Sequence, residues 1–598
     1  MRWDLRTCDA DAAAKLAKSA EVHPIVARLL VQRGVTTPEA AADFLAPTLS
    51  QLHSPYLMMG MDRAIERIQA AIARAEKILI YGDYDVDGTT AVVILKTAIE
   101  LCGGSAGFHV PHRIREGYGI RNEVLERAAA DGYRLIISVD TGIRAFAAAD
   151  TAQRLGLDLI VTDHHLPEEG GVPTALAVLN PNQPGCGYPC KALCGAGVAF
   201  KIAQALLQKT GRERLVPSFL KMAAIATIAD AVPLVGENRV IARLGLAGLR
   251  DPRNLGLKAL MEVAGIDLSR RLSAVDVAFK LAPRLNAAGR MDVAQDVVEL
   301  FTVRDADRAR TLAERLNQLN VDRQQEEARI MEDIVARLDA DPDTRQAFCI
   351  VIDGDGWHRG VIGIAATRVV ERYGRPALVC SRDESGEAHG SGRSIHAFHL
   401  LNALEACHQL FSRFGGHAHA VGFALPADRL PELRSSLDTF ARARLTPADF
   451  EPMLAVDAEL SLEQVSTELY RALCDLEPFG MENPEPIFCD RRARLVSPAR
   501  ILKDKHLKLR LAHSSFNGTG RSFDAVAWRM AEKFRVEPDR VGPDASSGLA
   551  ERSSAACSLA AGDSLDIAYR LDYNSHPDFG GLQMVLVDIV RSAAVTLA

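Results

Sequence analysis

The stretch KILIYGDYDVDG, residues 77–88, decides the fold of the first large domain. Its first half, KILIYG, is a short apolar run typical of a buried strand. The acidic, glycine-containing turn DYDVDG follows at once, and an apolar helix is predicted to begin near Thr89. A strand that passes through a turn into a helix is the repeating unit of α/β proteins. We therefore predict a parallel sheet in this part of the chain.

Three more apolar runs follow, and helical stretches separate the first two of them. They are LIISVD (135–140), LDLIVTDHH (157–165) and LAVLN (176–180). Strands that alternate with helices indicate a parallel sheet, in which ligands bind at the carboxyl ends of the strands. Acidic residues and histidines lie at those strand ends, so we expect the functional site there.

The remainder of the chain divides by its pattern. A long polar helix is predicted from Asp305 to Leu338. Its middle, NVDRQQEEAR, is polar all round, which is typical of a solvated helix bridging two domains, and apolar residues stand at helical spacing near its ends: Leu312, Leu316, Leu319, Ile330, Ile334 and Leu338. Short strands from about residue 452 predict a small β-barrel. We expect five segments: an N-terminal helical segment (1–70), an α/β core (71–300), the bridging helix (301–342), a smaller α/β domain (343–446), and a barrel (447–598) with an inserted loop at 539–562.

The composition excludes several classes of protein. With 598 residues, 48% hydrophobic and 25% charged, the chain is typical of a soluble multidomain protein. The formal charge of −7 does not indicate a nucleic-acid binder, but it does not exclude one, because local patches and metal ions govern binding. Eleven scattered cysteines, no apparent signal peptide and no apolar run of membrane-spanning length predict a cytoplasmic protein.

Carboxylates and imidazoles follow successive predicted strands. Asp83, Asp85 and Asp87 share one turn, Asp140 ends the next strand, and Asp163-His164-His165 ends the third; Asp230 follows a helix. A capped turn or a surface histidine would explain any one of these alone. Their convergence on one sheet edge favours a metal site instead. Oxygen and imidazole ligands without thiolates suit Mn²⁺ or Mg²⁺, and so many ligands suit two ions, the usual arrangement for hydrolysing phosphate esters.

Cys186, Cys190 and Cys194 form the closest cysteine group. A zinc site usually needs four ligands, and no obvious fourth ligand lies nearby in the sequence. We therefore favour a structural or incidental role for these cysteines, with zinc binding as the alternative.

The ordered motifs resemble those of a known family. GDYDVDG, SVDTG, TDHH and IADAVPL match the four motifs of the DHH phosphoesterase superfamily in order. Further matches resemble the RecJ family of bacterial single-strand DNA exonucleases, with its DHHA1-type domain and OB-type barrel, and they cover nearly the whole chain: PHRIREGYG (111–119), CGAGVAFK (194–201), APRLNAAGRM (282–291), LNQLNVDRQQEE (316–327), GWHRGVIGIAATRV (356–369), GSGRS (390–394), GGHAHAVGFAL (415–425) and PFGMENPEP (478–486).

The resemblance implies roles for individual residues. The metal ligands would be Asp83, Asp85, Asp87, Asp140, His164, His165 and Asp230, with the catalytic role assigned to Asp85, Asp87, Asp140, His164 and His165. Asp163 would orient a histidine rather than bind the metal directly. Arg113, Ser391 and Arg393 would hold a terminal 5′-phosphate. Arg284 and Arg290 would contact the nucleic-acid backbone or pair within the protein. His417, in the glycine-rich stretch GGHAHAVG, would lie near the nucleic acid, with a structural turn as the alternative.

The barrel would offer the nucleic acid a stacking and electrostatic track. Trp528 and Tyr573 are candidates for stacking on bases, although for either one alone we favour packing in the barrel core. Lys503, Lys505 and Lys508 are candidates for phosphate contacts, with a solvated strand face as the alternative.

The resemblance also implies an activity: a 5′→3′ exonuclease in DNA repair and recombination that acts on single-stranded DNA with two Mn²⁺ or Mg²⁺ ions and releases 5′-mononucleotides. Candidate protein partners are a single-stranded-DNA-binding protein and a DNA helicase. Two alternatives stay open. One is a DHH phosphodiesterase of oligoribonucleotides or cyclic dinucleotides, which would typically lack the barrel. The other is a non-catalytic DNA-binding replication factor, which would have lost metal ligands.

Overall fold

The computed structural model describes residues 1–291, 293–515, 520–535, 557–574 and 580–592. Two compact units make up the chain: Met1–Ala46 with Pro452–Ala598, and Pro47–Glu451. The expected N-terminal segment, residues 1–70, is thus divided between the two units. No helix among the described residues is both long enough and apolar enough to cross a membrane.

The first 46 residues form one strand and three helices. Asp9 and Thr37 accept hydrogen bonds from the first turns of the first and third helices, and prolines begin the second and third, as is common at helix starts. Leu16, Leu29 and Leu30 are buried in one core together with barrel residues. The bounds are β1 (Arg2–Leu5), α1 (Ala10–Ser19), α2 (Pro24–Gln32) and α3 (Pro38–Leu45).

A five-stranded parallel sheet follows, as predicted, in the order β3-β2-β4-β5-β6. Because β2, β4 and β5 are neighbours, the loops that leave their carboxyl ends meet at one edge. The strand β3 was not predicted. The bounds are α4 (Met61–Ala73), β2 (Lys77–Tyr81), α5 (Val86–Leu101), β3 (Ser105–His109), α6 (Asn122–Ala130), β4 (Tyr133–Val139), α7 (Phe146–Leu155), β5 (Asp158–Thr162) and β6 (Ala177–Leu179).

A helical layer covers this sheet and shares its core. The helix after β6 is buried through most of its length, which fixes its amino terminus firmly beside the sheet edge. The bounds are α8 (Gly195–Lys209), α9 (Val216–Ala229), α10 (Gly236–Gly248), α11 (Leu255–Val263), α12 (Ala274–Asp276), a π-helical segment (Val277–Leu281), α13 (Ala282–Met291) and α14 (Gln295–Thr302).

The long helix α15 (Ala306–Ala340) begins after its cap Asp305 and leads into α16 (Pro342–Gln346). The predicted apolar positions near its ends are buried, apart from the partly buried Leu319. Its middle is less solvated than predicted. Asn320 is buried, and Arg323 and Glu327 form an ion pair with side chains only 12% and 13% exposed. The prediction of an all-round solvated middle was wrong, because these polar groups satisfy one another against the protein.

The smaller α/β domain contains a mixed sheet in the order β10-β11-β9-β8-β7, in which only β7 and β8 are parallel. Ser391 and Arg393 alternate with buried glycines along β9, so they share one face of the sheet. The bounds are β7 (Ile350–Asp355), α17 (Ile362–Tyr373), β8 (Ala377–Arg382), β9 (Glu387–Arg393), α18 (Leu400–Glu405), β10 (Arg413–Gly416), β11 (Ala420–Pro426) and α19 (Leu430–Arg442).

The last region is the predicted small barrel. Neighbouring strands run β14-β18-β19-β17-β16, and β16 pairs again with β14, which closes the ring. β12 pairs in parallel with β1. Residues 539–556 of the predicted inserted loop lie outside the described residues. The bounds are β12 (Met453–Val456), β13 (Ala458–Glu459), α20 (Thr467–Cys474), β14 (Phe488–Leu495), β15 (Arg500–Leu502), β16 (His506–Ala512), β17 (Ser522–Ala527), β18 (Ser564–Asn574) and β19 (Gly581–Arg591).

Candidate active site

The turn after β2 places three carboxylates in different surroundings. Asp85 caps α5 by accepting a hydrogen bond from the Gly88 N–H at 3.0 Å. Asp87 accepts from the N–H groups of Gly195 and Ala196, at 2.6 and 2.7 Å, so the amino terminus of α8 holds it in place. Oδ1 of Asp83 is buried without a hydrogen-bond partner. Asp83 therefore keeps an oxygen free for a ligand, and hydrogen bonds fix the orientation of Asp85 and Asp87, which remain in groups that could hold a metal ion.

Asp140 follows β4 and is held in an uncommon backbone conformation, with φ of 60°. Non-glycine residues seldom adopt this left-handed region, and aspartate is among those that tolerate it best. Oδ1 of Asp140 is also buried and accepts no well-aligned hydrogen bond. Gly195 approaches so closely that a Cβ there would lie 2.6 Å from this oxygen. The tight packing therefore excludes any larger residue at position 195.

His164 joins the strand ends to the helical layer. Its Nε2 lies 3.2 Å from Asp140 Oδ1, 3.7 Å from Asp87 Oδ2 and 3.9 Å from Asp230 Oδ2, at the end of α9. The structure thus brings all seven predicted ligands together, in three overlapping groups whose ligand atoms lie within 4.8 Å of one another: Asp140 with His164 and His165; Asp87 with His164 and Asp230; and Asp83 with Asp85 and Asp140. We call these seven residues the acidic cluster.

Asp163 is hydrogen-bonded to two residues of the acidic cluster. Its carboxylate accepts hydrogen bonds from the N–H groups of Ile143, His164 and His165, and Oδ1 lies 2.7 Å from Nδ1 of His165. Burial opposes ionisation, but the bonds from His165 and the backbone outweigh it and lower the pKa of Asp163. Burial likewise disfavours a charged His165, yet Asp163 raises the pKa of that imidazole to about 9. The geometry agrees with an orienting role for Asp163.

The carboxylates of the acidic cluster repel one another. Burial first, and neighbouring carboxylates second, raise the pKa of Asp83, Asp85 and Asp140, and they raise the pKa of Asp230 to about 8. Divalent cations relieve such repulsion. The oxygen and imidazole donors, with buried oxygens on Asp83 and Asp140 that accept no well-aligned hydrogen bond, fit Mn²⁺ or Mg²⁺.

The cysteine group makes no comparable site. Within the described part of the chain, none of the groups suited to hold a metal ion includes a cysteine. Sγ of Cys194 instead accepts a hydrogen bond from the Gly197 N–H in the first turn of α8. This contact agrees with the structural role that we favoured.

A second charged region lies beside the cluster, a cavity of about 420 Å³ that we call the arginine cavity. Burial first, and the nearby Arg113 next, lower the pKa of Arg290 to about 10 and also lower the pKa of Arg393. Cations crowded in this way favour an anionic ligand, and guanidinium groups match phosphate geometry. Four of its polar residues were predicted, and four were missed; the lining includes Arg113, Arg290, Ser391 and Arg393 together with Tyr84, Arg359, His389 and Arg413.

The missed residues gave little sequence signal. Arg359 lies in the quoted motif GWHRGVIGIAATRV, but nothing there distinguished it from a structural arginine. In the fold it forms an ion pair with Asp383, which also lies 3.3 Å from Nε2 of His389. Asp383, Glu387 and His389 form another group with metal-ligand spacing. Because Arg359 already neutralises Asp383, this group is better described as support for the cavity wall.

Two predicted nucleic-acid residues lie outside the arginine cavity. Nε of Arg284 donates to Oδ1 of Asn317 at 3.0 Å, and its Nη1 donates to the Lys280 carbonyl, so this side chain joins α13 to α15. His417 lines a separate cleft together with His165 and Tyr118. Tyr118 is 53% exposed, and its ring meets the His165 ring edge-on at 5.9 Å.

Comparisons with known protein families match the parallel-sheet core, the smaller α/β domain and the barrel. The family models described as the DHH family, N-terminal domain, the DHHA1 domain and the RecJ OB domain match residues 77–227, 345–443 and 456–588, respectively. These matches confirm the domain types that the motifs predicted.

Individual relatives agree. The chain is 40% identical over 517 residues to the single-stranded-DNA-specific exonuclease RecJ of Bacillus subtilis (strain 168), covering 86% of this chain but 65% of that protein, slightly under two thirds. It is 33% identical over 604 residues to the protein of the same name from Escherichia coli (strain K12), covering 98% of each. A crystal structure of RecJ from Thermus thermophilus in complex with Mn²⁺ superposes with a TM-score of 0.81 at 27% identity, covering 99% of this chain and 80% of that one.

Proposed function

The chain belongs to the RecJ family of single-stranded-DNA-specific exonucleases, and from this premise we propose that it degrades single-stranded DNA from the 5′ end and releases 5′-mononucleotides. One observation carries the proposal. The acidic cluster and the arginine cavity adjoin at Tyr84, which lies between Asp83 and Asp85 in the sequence and also lines the cavity. A site that accommodates cations thus lies beside one that accommodates a phosphate.

The acidic cluster would hold two divalent cations, Mn²⁺ or Mg²⁺. Such ions supply a hydroxide nucleophile and stabilise the charge that develops on the phosphoryl oxygens. The protein's own part is positioning. The amino terminus of α8 fixes Asp87, Asp163 fixes the two histidines, and the tight packing at Gly195 fixes Asp140. These contacts hold the ligands in place before substrate binds, which lowers the cost of assembling the site.

The arginine cavity would select the end of the strand. Arg393 donates to Ser391 Oγ at 3.2 Å and to the Gly392 carbonyl, and Arg290 donates to the Gly360 carbonyl at 3.1 Å. These bonds orient the guanidinium groups while leaving further N–H donors for a ligand. A terminal 5′-phosphate, with more charge than an internal phosphodiester, would bind best. Cleavage at the neighbouring acidic cluster then releases one nucleotide at a time.

The barrel would guide the strand. For Trp528 and Tyr573 we favoured packing in the barrel core, but the side chains are 56% and 49% exposed, so that expectation was wrong. Trp528 meets His506 edge-on at 4.8 Å, and Tyr573 stacks on Tyr470 at 6.0 Å. Exposed aromatic faces of this kind can stack on bases in a sequence-tolerant way. Lys503 and Lys505, close to His506 in the sequence, are exposed and would contact phosphates, whereas Lys508 pairs with Asp524 at 3.2 Å.

We also propose a cytoplasmic location, with a single-stranded-DNA-binding protein and a DNA helicase as partners, on the strength of the family resemblance. Of the alternatives, a non-catalytic factor is disfavoured by the complete acidic cluster. A phosphodiesterase of cyclic dinucleotides or oligoribonucleotides is disfavoured by the barrel that matches the RecJ OB domain.

The direct test uses end-labelled substrates. The full chain is incubated with single- and double-stranded DNA and with RNA, with and without Mn²⁺, and the products are separated by length. We expect 5′-mononucleotides from single-stranded DNA only when metal is present. Degradation from the 3′ end, or a clear preference for RNA, would contradict the proposal.

Substituting an exposed aromatic residue tests the proposed strand-guiding role of the barrel. Each base that stacks on an aromatic ring contributes roughly 1–3 kcal/mol, so Trp528→Ala should weaken binding of long single strands by about 5- to 150-fold. Cleavage of trinucleotides should change little. Trp3→Ala is not a suitable control because Trp3 donates to Asp588, whereas Tyr56→Ala removes an exposed aromatic outside the barrel. Equal losses on long and short substrates would contradict a guiding role.

A further inference from the structure

A second cavity, of about 640 Å³, opens at the carboxyl ends of β4 and β5, and we call it the His165 cleft. The loop before α6, the loop before α7, and Gly416 with His417 line it. It reaches the acidic cluster through His165 and its support Asp163, and it shares no lining residue with the arginine cavity. The acidic cluster is therefore bordered by two separate cavities, of which the mechanism above uses only one.

Two helices begin at the wall of the His165 cleft. The residues before them, Arg121 for α6 and Ala145 for α7, make no capping bond through their side chains. The first N–H groups of each helix, at Asn122 and at Phe146, have no intrahelical partner and carry partial positive charge. The N–H groups of the first turn of α7 belong to residues that line the cleft. Both helix starts thus favour an anion in this cavity.

Side chains support the same conclusion independently. Thr141 lines the cleft and is 1% exposed, and its Oγ1 makes no well-aligned hydrogen bond but interacts with the hydroxyl of Tyr118, which also lines the cleft. Arg144 also lines the cleft, and its Nε donates to the Leu166 carbonyl at 3.1 Å. This bond orients the guanidinium and leaves its two terminal NH₂ groups, and within the described part of the chain no carboxylate forms an ion pair with it. A buried hydroxyl and an oriented cation therefore line the same cavity.

We propose that the His165 cleft binds the nucleotide on the 3′ side of the scissile phosphate, and that Arg144 with the amino terminus of α7 holds the phosphate that follows this nucleotide. The inference rests on the proposed function. If the arginine cavity holds the 5′-phosphate, the retained strand must leave the acidic cluster through another opening, and this cleft borders the cluster at different residues. Its volume lies within the roughly 300–1,000 Å³ typical of small-ligand sites.

Contacts made in the cleft would have a specific consequence. After each cut the nucleotide in this cleft becomes the new 5′ end, and its newly exposed phosphate is the one that the arginine cavity selects. The half-buried Phe146 offers the base an apolar surface that does not distinguish sequence. Binding of this nucleotide in the cleft aligns the scissile phosphate. Removing the contacts that bind it should therefore lower catalysis on short substrates that reach the cleft.

The experiment compares two short substrates that differ by one phosphate. The 5′-phosphorylated thymidine dinucleotide, pTpT, fills the cleft with its second nucleoside only, whereas pTpTp adds the phosphate that Arg144 is proposed to bind. We expect kcat/KM of the wild-type protein to be higher on pTpTp. Arg144→Ala should remove about ten- to hundred-fold on pTpTp, the usual effect of losing a charged hydrogen bond, and less than about twofold on pTpT.

Matched variants separate binding from folding. Arg154→Ala changes an arginine at the far end of α7 that pairs with Glu126, and it should leave both substrates unaffected. Arg144→Lys should restore part of the preference for pTpTp. Arg144→Gln keeps an N–H donor for the Leu166 carbonyl and replaces the alanine variant if that variant unfolds.

Equal losses on pTpT and pTpTp in the Arg144 variants, or no preference for pTpTp in the wild type, would overturn this assignment of the cleft. Failure of the proposed function is recognised separately, because then the wild-type protein would not degrade long single-stranded DNA from its 5′ end at all.

Discussion

The acidic cluster and the arginine cavity are adjoining regions of opposite charge. In the cluster, burial and repulsion raise the pKa of the carboxylates; in the cavity, burial and repulsion lower the pKa of Arg290 and Arg393. Without a ligand, the electrostatic repulsion in each region destabilises the folded protein, and a ligand of the opposite charge reduces that repulsion. The contrast teaches that neither region exists to stabilise the fold, since like charges that accumulate at one place usually mark a functional site.

The two regions also differ in how the chain builds them. Most of the acidic cluster comes from turns after adjacent parallel strands, so neighbouring motifs are brought together by one sheet. The arginine cavity collects side chains from the loop around Arg113, the end of α13, the start of α17, and strands β9 and β10. The cluster is thus a property of one sheet edge, whereas the cavity exists only when two domains pack correctly within residues 47–451.

The largest expected effect concerns the cluster. Asp85→Ala and His164→Ala should each abolish hydrolysis, by about a thousandfold or more, because the cations lose a ligand in a site built for several. Binding of single-stranded DNA should decline far less. Turnover and equilibrium binding are measured on the same labelled strand, with chelator as the reference for lost metal. Full activity of either variant would contradict the metal assignment.

The arginine cavity should show a smaller and more selective effect. Arg113→Ala and Arg393→Ala each remove a charged hydrogen bond worth about 1.5–3 kcal/mol, so kcat/KM on 5′-phosphorylated ends should fall by about 10- to 150-fold. Activity on unphosphorylated ends should fall much less. Arg368→Ala, whose arginine pairs with Glu327 and Glu371 outside the cavity, is the matched control. Equal losses on both kinds of end would show that these arginines do not recognise the terminus.

Arg359 should contribute less to recognition of the 5′-phosphate than the other arginines of the cavity. The Arg359 guanidinium also pairs with Asp383, so it is only partly available to a phosphate. Arg359→Ala should therefore reduce the preference for 5′-phosphorylated ends by about three- to tenfold, less than Arg393→Ala. Asp383→Asn should have a similar but weaker effect by freeing Arg359 from its orienting partner. The ratio of kcat/KM on the two kinds of end is the measurement. An effect of Arg359→Ala on unphosphorylated ends alone would place the residue outside the phosphate contact.

The smallest effect is on stability. The folded protein keeps protons on raised-pKa carboxylates such as Asp230, at about 8, whereas the unfolded chain releases them near the ordinary value of 3.8. Stability of the metal-free protein should therefore fall as pH rises between these values. Mg²⁺ replaces the protons, so it should raise Tm more at about pH 8.5 than at about pH 6.5. In Asp140→Asn this pH dependence of the Mg²⁺ effect should be weaker; an unchanged dependence would contradict the explanation.

The same contrast explains what could be predicted from the sequence. Asp83, Asp140 and His164 were predicted because each directly follows an apolar strand, and parallel strands align their ends. Arg359 and Arg413 were missed because only the packing of distant elements brings them to the cavity. The buried Asn320 in α15 was missed for a related reason: a polar pattern does not reveal that Arg323, Glu327 and Arg368 satisfy one another within the protein.

The pairing of β1 with β12 has a consequence for synthesis of the chain. Residues 1–46 leave the ribosome about 400 residues before their partners from Pro452 onward, a delay of about 20 to 80 seconds at ordinary elongation rates. During this time Leu16, Leu29 and Leu30 lack the barrel residues that complete their core. The unit from Pro47 to Glu451 can meanwhile form its own core. The apolar faces of the leading helices therefore lack their native partners until the barrel has been translated.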